Sequence, residues 1–206
     1  MTLDVTFNSR IDFMSTITLS DILRLKGTVL QFKEILIASG EPHAANLRRR
    51  LNYYVQRGEL IALRRGLYAK DHQYDRLELA TKIYTPSYIS FETVLAQAGI
   101  IFQYYKQIFV ATYQNKTIEC DDQEYTYKKL KEPLLTTLEG LEDRGSYFIA
   151  TKERAFLDTL YLNKEYFFDN LAPLDPTKIE KLLPLYNNKQ LITRVLAHLK
   201  GLHHDS

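Results

Sequence analysis

The stretch from Ser39 to Lys70, SGEPHAANLRRRLNYYVQRGELIALRRGLYAK, constrains the fold of this chain more than any other. Pro42 suits the first position of a helix, where a missing N–H has no cost. Apolar residues then recur at three- and four-residue spacing, at Leu47, Leu51, Tyr54 and Val55. This spacing predicts a helix with one buried stripe. Gly58 supplies the left-handed cap at which such a helix ends.

The opposite face of this predicted helix is basic. At roughly 100° per residue, Arg49 projects almost opposite the apolar stripe. It shares its face with Ala45, Asn46, Tyr53 and Gln56, and it is flanked by Arg48 and Arg50. His43 stands near the start of the helix. An exposed helix face of this composition is either a solvated surface or a surface that contacts a polyanion.

The residues around the helix favour the second interpretation. Glu59 to Ala69 reads as two short strands that turn near Arg64, Arg65 and Gly66. Two shorter helices precede the basic helix, one opened by a capping box from Thr18 to Asp21 and one near 31–39. This order predicts a winged helix-turn-helix, whose basic helix fits the DNA major groove while the wing contacts phosphates. The predicted DNA-binding residues are His43, Asn46, Arg48, Arg49, Arg50, Tyr53, Arg64 and Arg65.

The charge distribution agrees with a nucleic-acid-binding N-terminal part. Residues 10–70 contain 11 Lys and Arg against 5 Asp and Glu, whereas residues 71–206 contain 16 against 19. An asymmetry of this kind indicates a polyanion-binding unit joined to a neutral or acidic one. We therefore expect a DNA-binding domain at 1–70, with an N-terminal arm at 1–17, and a second domain at 71–206.

The second domain is predicted to be α+β. Three strand-like stretches at 107–113, 116–120 and 124–130 are separated by turn signals and resemble an antiparallel meander. A fourth strand is expected at 146–150. Helices are expected after the capping residues Ser90, Thr151 and Asp175. The prediction is therefore a small antiparallel sheet with helices packed on it.

Several classes of protein are disfavoured by what the sequence lacks. No apolar run reaches about 18 residues, and the N-terminus has no signal-peptide pattern, so the expected location is the cytoplasm. A single cysteine, Cys120, excludes an internal disulfide and a multi-cysteine zinc site. Glycine-rich phosphate loops are absent. Asp121 and Asp122 are better explained by a turn than by a metal, and we expect neither a metal nor another cofactor.

Three stretches in order resemble a known family: GELIALRRGLYA at 58–69, TPSYISFETVLAQAGII at 85–101 and IATKERAFLDTLYL at 149–162. They are similar to the AbiEi-type antitoxins of type IV, or abortive-infection, toxin–antitoxin systems. The resemblance extends from about Leu19 to Leu162. It implies an N-terminal winged helix followed by a C-terminal α/β antitoxin domain.

The resemblance also implies a function. The winged helix would bind inverted repeats in the promoter of its own operon and repress transcription. Reading an inverted repeat usually takes two winged helices, either from a homodimer or from two monomers that bind cooperatively. The C-terminal domain would neutralise a nucleotidyltransferase-like toxin, without requiring a stable complex. The family's C-terminal motif falls on Ser90, Glu92, Lys152, Glu153, Arg154 and Asp158. For these residues we expect structural roles, with Ser90 as a helix cap and 153–158 as one face of a helix.

Two alternatives remain at this level. The C-terminal domain carries many aromatic residues, which form either its core or a surface for a protein partner or for oligomerisation: Phe102, Tyr104, Tyr105, Phe109, Tyr113, Tyr125 and Tyr127. If they form such a surface, the chain would be a winged-helix regulator whose C-terminal domain binds a protein partner or mediates oligomerisation and neutralises no toxin. A nuclease that uses acidic residues in 119–158 is the other alternative. We do not expect an enzyme, because these carboxylates match no catalytic spacing.

Overall fold

The computed structural model describes residues 17–202, with side chains described as far as Leu199. Of the predicted N-terminal arm at 1–17, only Ile17 therefore lies within the described residues. The described chain is α+β and contains two sheets. We refer to residues 17–70 as the head and to residues 71–202 as the body. Within 17–202, no helix is long and apolar enough to cross a membrane.

The head contains three helices and three strands in the order helix, strand, helix, helix, strand, strand. Their bounds are α1 Leu19–Arg24, β1 Val29–Gln31, α2 Phe32–Ser39, α3 Ala44–Gln56, β2 Ile61–Arg64 and β3 Leu67–Ala69. The strands form an antiparallel sheet in the order β1-β3-β2. The helices pack around a small apolar core composed of Ile17, Ile22, Leu30, Ile35, Leu47, Leu51, Leu60 and Tyr68.

Local signals in the head are confirmed at most helix ends and wrong at one. The capping box of Thr18 and Asp21 is present, and Gly58 follows α3 with a left-handed φ of 70°. Pro42, however, lies outside the helix, because the backbone of His43 is extended and α3 begins at Ala44. Strand β1 was not predicted, since three residues carry too little pattern to identify a strand.

The body surrounds a six-stranded sheet with helices. Its elements are α4 Arg76–Ile83, β4 Tyr88–Ile89, α5 Glu92–Gln97, β5 Ile108–Thr112, β6 Lys116–Cys120, β7 Gln123–Lys129, α6 Glu132–Thr136, β8 Leu141–Asp143, β9 Phe148–Ala150, α7 Lys152–Leu162, α8 Pro176–Leu182 and α9 Lys189–Leu202, with a 3-10 turn at Leu183–Tyr186. The predicted caps Thr151 and Asp175 each accept backbone N–H groups of the helix that follows.

The predicted small antiparallel meander is wrong. The sheet is mixed, in the order β6-β7-β5-β4-β9-β8, and β5 pairs with β7 in parallel. Asp121 and Asp122 both have positive φ, which closes a two-residue hairpin between β6 and β7. The connection from β5 to β6 instead crosses the end of β7, where Asn115 Oδ1 accepts the N–H of Lys129 at 2.7 Å. Two similar turn signals therefore have different roles.

The assignment of Ser90 as a helix cap is also wrong. The cap position of α5 is Phe91, and no side chain caps that helix. The Ser90 hydroxyl instead donates to Asp158 Oδ2 at 2.7 Å in the interior of the body. Phe91 itself is buried and has a φ of 57°. Backbone strain of this kind persists only where the surrounding packing enforces it.

Head and body meet through a buried polar junction centred on α4. Glu78 is 1% exposed, and its Oε2 accepts the backbone N–H of Thr28 at 2.7 Å and that of Val29 at 3.3 Å. Lys82 donates to the carbonyl of Val29 at 2.7 Å and lies 3.2 Å from the other oxygen of Glu78. Side chains from β1 and β3 also join the apolar core of the body. The head is therefore packed against the body by both polar and apolar contacts.

Candidate nucleic-acid interface

Helix α3 presents opposite faces to the core and to solvent, as its sequence predicts. Leu47 and Leu51 are fully buried, whereas Arg49 is exposed. The helix has 13 residues, which at 1.5 Å per residue makes it about 20 Å long. The DNA major groove is wide enough to admit an α-helix, so an exposed basic helix of this length can enter it.

The hairpin of β2 and β3 places two more arginines beside α3. Arg64 and Arg65 are exposed at its tip, and Gly66 has a φ of 78° that an L side chain rarely adopts. The carbonyl of Gly66 accepts the N–H of Phe32 at 2.8 Å. This contact holds the tip of the hairpin to the first residue of α2, so the position of the arginines relative to α3 is fixed by the fold.

A groove of about 780 Å³ separates α3 from the hairpin. Arg48 lies over the ring of Phe32, with its guanidinium carbon 4.9 Å from the ring centre. Asn52 was not predicted as a site residue, although it lies four residues after Arg48 and therefore on the same helix face. The groove is lined by Phe32, Arg48, Asn52, Ala62, Arg64, Arg65, Gly66 and Tyr68.

Arg50 differs from its neighbours because its guanidinium is used inside the head. Its NH1 donates to the carbonyl of Ile17 at 3.1 Å, and its NH2 lies 3.5 Å from Glu41 Oε2. The side chain is only 21% exposed. Arg50 therefore ties α3 to Ile17, the residue before the N-cap of α1. Sequence alone could not show this, because the carbonyl partner is 33 positions away.

Tyr53 and Arg57 form a second contact group at the end of α3. Arg57 Nε donates to Glu59 at 2.8 Å, and its NH1 donates to the Tyr53 hydroxyl at 3.1 Å. The hydrogen bond to Glu59 raises the pKa of Arg57 further above its ordinary value. Because a carboxylate already pairs with Arg57, this residue offers a phosphate less than a free arginine would.

On α3 and the hairpin, four arginines have no carboxylate partner among residues 17–202: Arg48, Arg49, Arg64 and Arg65. All four are exposed, and the groove or the adjacent cleft on α3 brings them together with Asn46, Asn52 and Tyr53. His43 is exposed at the start of the helix. The surface combines cations with amide and hydroxyl groups, which is the composition used for phosphate and base contacts.

The body residues that the family resemblance singled out are mostly interior. Arg154 and Asp158 are both completely buried, and Arg154 Nε lies 3.4 Å from Asp158 Oδ1. Asp158 also accepts the hydroxyls of Tyr88, Ser90 and Tyr186 at 2.6 to 2.9 Å. Burial raises the pKa of Asp158, while Arg154 and the hydroxyl donors oppose that increase. These contacts fit the structural roles expected for 153–158.

Arg154 is held by the body on every side. It donates to the carbonyls of Leu134 at 2.7 Å and Glu139 at 2.9 Å. Burial lowers its pKa, but interactions with Tyr186, Tyr88 and Asp158 outweigh burial, and the net shift is upward. Nearby, Lys128 donates to both carboxylate oxygens of Glu92 at 2.7 Å. Lys152 is partly exposed and lies 4.0 Å from Glu153.

No cluster of His, Cys, Asp and Glu that could hold a metal occurs in the described part of the chain. Asp121 and Asp122 lie in the β6–β7 turn, and Asp121 accepts the hydroxyl of Tyr74. Cys120 is buried, and its thiol donates to the carbonyl of Leu63 at 3.4 Å. Burial raises the pKa of this thiol, which makes it a weaker nucleophile at neutral pH.

Comparison with protein families and with curated proteins supplies no relative on which a function could be based. No protein-family model matches the sequence. A search of curated proteins likewise finds no match. Any function assigned to the surface of α3 and the hairpin therefore depends on the residues themselves.

Proposed function

We propose that the head is a winged helix that binds double-stranded DNA. The observation that carries this proposal is the grouping of Arg48, Arg49, Arg64 and Arg65 on α3 and the hairpin beside it, where all four are exposed and pair with no carboxylate of residues 17–202. The order of elements in the head, with the strands arranged β1-β3-β2, is compatible with this fold.

In the proposed complex, α3 lies in the major groove and the hairpin contacts the adjacent backbone. Arg49 and Asn46 are the side chains with the chemistry to read base edges, since Arg pairs with guanine and Asn with adenine. Arg64 and Arg65 at the tip would neutralise phosphates and set the register. Asn52 and Arg48 line the groove between these two elements.

We further propose that the chain is an AbiEi-type antitoxin that represses its own operon. The support is the resemblance of residues 58–69, 85–101 and 149–162, together with the basic head. In this proposal the body neutralises a nucleotidyltransferase-like toxin, with or without a stable complex. The protein would act in the cytoplasm and would not itself be an enzyme.

The test is binding to the DNA upstream of the gene, measured by fluorescence anisotropy against a shuffled duplex of equal length. We expect tighter binding to the upstream duplex, with an affinity that falls steeply as salt increases. Replacing Arg49, Arg64 and Arg65 together by Ala should abolish binding and leave the circular dichroism spectrum unchanged. Unchanged binding by this triple variant would show that the DNA contact lies elsewhere.

The second candidate function is the binding of a protein partner by the body. Among the aromatic residues noted above, Phe109, Tyr125 and Tyr127 belong to the buried core. Phe102 and Tyr104 are 72% and 83% exposed, and Phe167 is 81% exposed. Exposed aromatic side chains of this size are frequent anchors of protein interfaces.

This candidate is tested by comparing wild type with a Phe102→Ser, Phe167→Ser double variant. Light scattering after gel filtration reports self-association, and co-purification with the product of the adjacent gene reports a heterologous complex. A complex that the double variant loses would support this function. If wild type is monomeric and co-purifies with nothing, the exposed aromatic residues have no partner of either kind.

A further inference from the structure

One carboxylate lines the cleft beside Arg49 and Arg50 on α3. Glu41 stands in the connection between α2 and α3, and its side chain is only 13% exposed. Together with Asn46, Arg49, Arg50 and Tyr53 it lines a cleft on the exposed side of α3. A negative charge in this position is unfavourable for simple phosphate binding, so its presence requires a separate explanation.

The contacts of Glu41 show what the carboxylate does in the free protein. Its Oε1 accepts the side-chain amide of Asn46 at 3.4 Å and the backbone N–H of His43 at 3.3 Å. Its Oε2 lies 3.5 Å from NH2 of Arg50. The Asn46 amide nitrogen donates one hydrogen to Glu41. No hydrogen bond within residues 17–202 uses its second hydrogen or its carbonyl oxygen, so both groups can contact a further partner.

This arrangement orients Asn46 in the way that a base contact needs. A bidentate contact to adenine uses one amide hydrogen and the carbonyl oxygen of the asparagine, which are the two groups that Glu41 leaves free. The carboxylate also repels phosphates from this part of the surface. Binding is then favoured when base edges of the duplex, rather than its phosphates, lie against Asn46.

We propose that Glu41 is a specificity-determining residue of the head, which positions Asn46 and rejects DNA backbone from the cleft beside α3. This inference rests on the DNA-binding function proposed above. The role assigned to Glu41 differs from that of the arginines. Removing Glu41 should strengthen binding to DNA of arbitrary sequence and weaken the preference for the selected sequence. Glu41→Gln removes the charge and keeps an acceptor for Asn46, whereas Glu41→Ala removes both.

The experiment selects preferred duplexes from a random library with wild-type protein and then measures anisotropy on the selected and a shuffled duplex. Glu41→Gln should bind the shuffled duplex roughly two- to fivefold more tightly, the scale of one partly exposed charge interaction. Glu41→Ala should in addition lose about tenfold in the affinity ratio of selected to shuffled duplex. A repeated selection with Glu41→Ala should show weaker base preference at a defined position.

The results separate this inference from the proposed function. If wild type binds no duplex, the DNA-binding proposal is wrong and the inference falls with it. If wild type discriminates but both Glu41 variants keep the same ratio, DNA binding stands and the role of Glu41 is overturned. Equal weakening on both duplexes would also overturn it, since it would indicate only a fold defect. A shift of the Asn46 side-chain amide resonance in DNA-free Glu41→Ala checks the positioning contact directly.

Discussion

The carboxylate of Glu78 on α4 accepts two backbone N–H groups of the head, from Thr28 at 2.7 Å and Val29 at 3.3 Å. The same Oε2 accepts the Thr28 hydroxyl at 2.7 Å. Gly27 allows this approach, because a Cβ at that position would lie 2.1 Å from Glu78 Oε1. The junction thus depends on the Glu78 side chain of the body and on the lack of a side chain at Gly27 of the head.

Gly27→Ala should therefore destabilise the protein more than an ordinary glycine replacement. Both Gly27 and Gly40 have positive φ, so alanine at either position costs about 1–2 kcal/mol in backbone strain. At Gly40 an added Cβ meets nothing within 4 Å. We expect Gly27→Ala to lose roughly 1–3 kcal/mol more than Gly40→Ala, because Glu78 must give up hydrogen bonds. Urea denaturation of both variants measures the difference, and equal losses would contradict this account of the junction.

Removal of either member of the buried pair Arg154–Asp158 should be strongly destabilising. Each residue is completely buried, so Arg154→Leu leaves an unpaired carboxylate in the interior, at a cost of about 3–5 kcal/mol. The matched control is Arg144→Ala, whose partner Glu142 is half exposed at 50% and whose loss should stay below about 1 kcal/mol. Thermal and urea denaturation measure both. Similar losses for the two variants would show that the pair adds little.

Stability should decrease in mild acid through His198. This side chain packs edge-on against Phe156 and Phe168, and burial lowers its pKa below the ordinary value of 6.5. As the pH falls, His198 therefore becomes protonated near pH 6.5 in the unfolded chain but only at a lower pH in the folded protein. The stabilising contribution is complete above this pH and is lost as the pH falls through the folded-state pKa. The difference in unfolding free energy between wild type and His198→Gln, measured from pH 7.5 to 5.0, should shrink in acid; a constant difference would contradict the prediction.

If the head binds DNA as proposed, its arginines should differ in how they affect the salt dependence of binding. Arg65→Ala should weaken binding to every duplex and reduce the slope of log affinity against log salt by about one, as for the loss of one phosphate contact. Arg49→Ala should weaken binding mainly to the preferred duplex. Arg57→Ala is the control, because Arg57 is already paired with Glu59. Equal salt slopes for wild type and Arg65→Ala would place Arg65 outside the phosphate contacts.

The parts of the fold that the sequence predicts well are those specified by neighbouring residues. The periodic apolar stripe of α3 and the caps at Thr18, Thr151 and Asp175 act over three or four positions, and all are present. Strand order depends on pairing between distant segments. The turns at 114–115 and 121–122 look alike in sequence, yet only the second closes a hairpin, so the parallel pairing of β5 with β7 could not be predicted.

The same distinction applies to the candidate site. The exposure of Arg49, Arg64 and Arg65 follows from helix and hairpin geometry, and the structure places all three at the surface. The engagement of Arg50 with the carbonyl of Ile17 depends on how α1 packs, which no local pattern encodes. The sequence does not mark Glu41 as a site residue, because its contacts with Asn46 and Arg50 exist only after the chain turns into α3.

The buried junction at Glu78 has a consequence for any complex that the protein forms. Glu78 and Lys82 of α4 form hydrogen bonds with the backbone of Thr28 and Val29. These contacts fix the orientation of the head relative to the body, so we expect the two parts to tumble in solution as one rigid unit. A duplex bound by the head would then have one fixed orientation relative to the body. Whatever molecule the body holds would be delivered to a fixed side of that duplex.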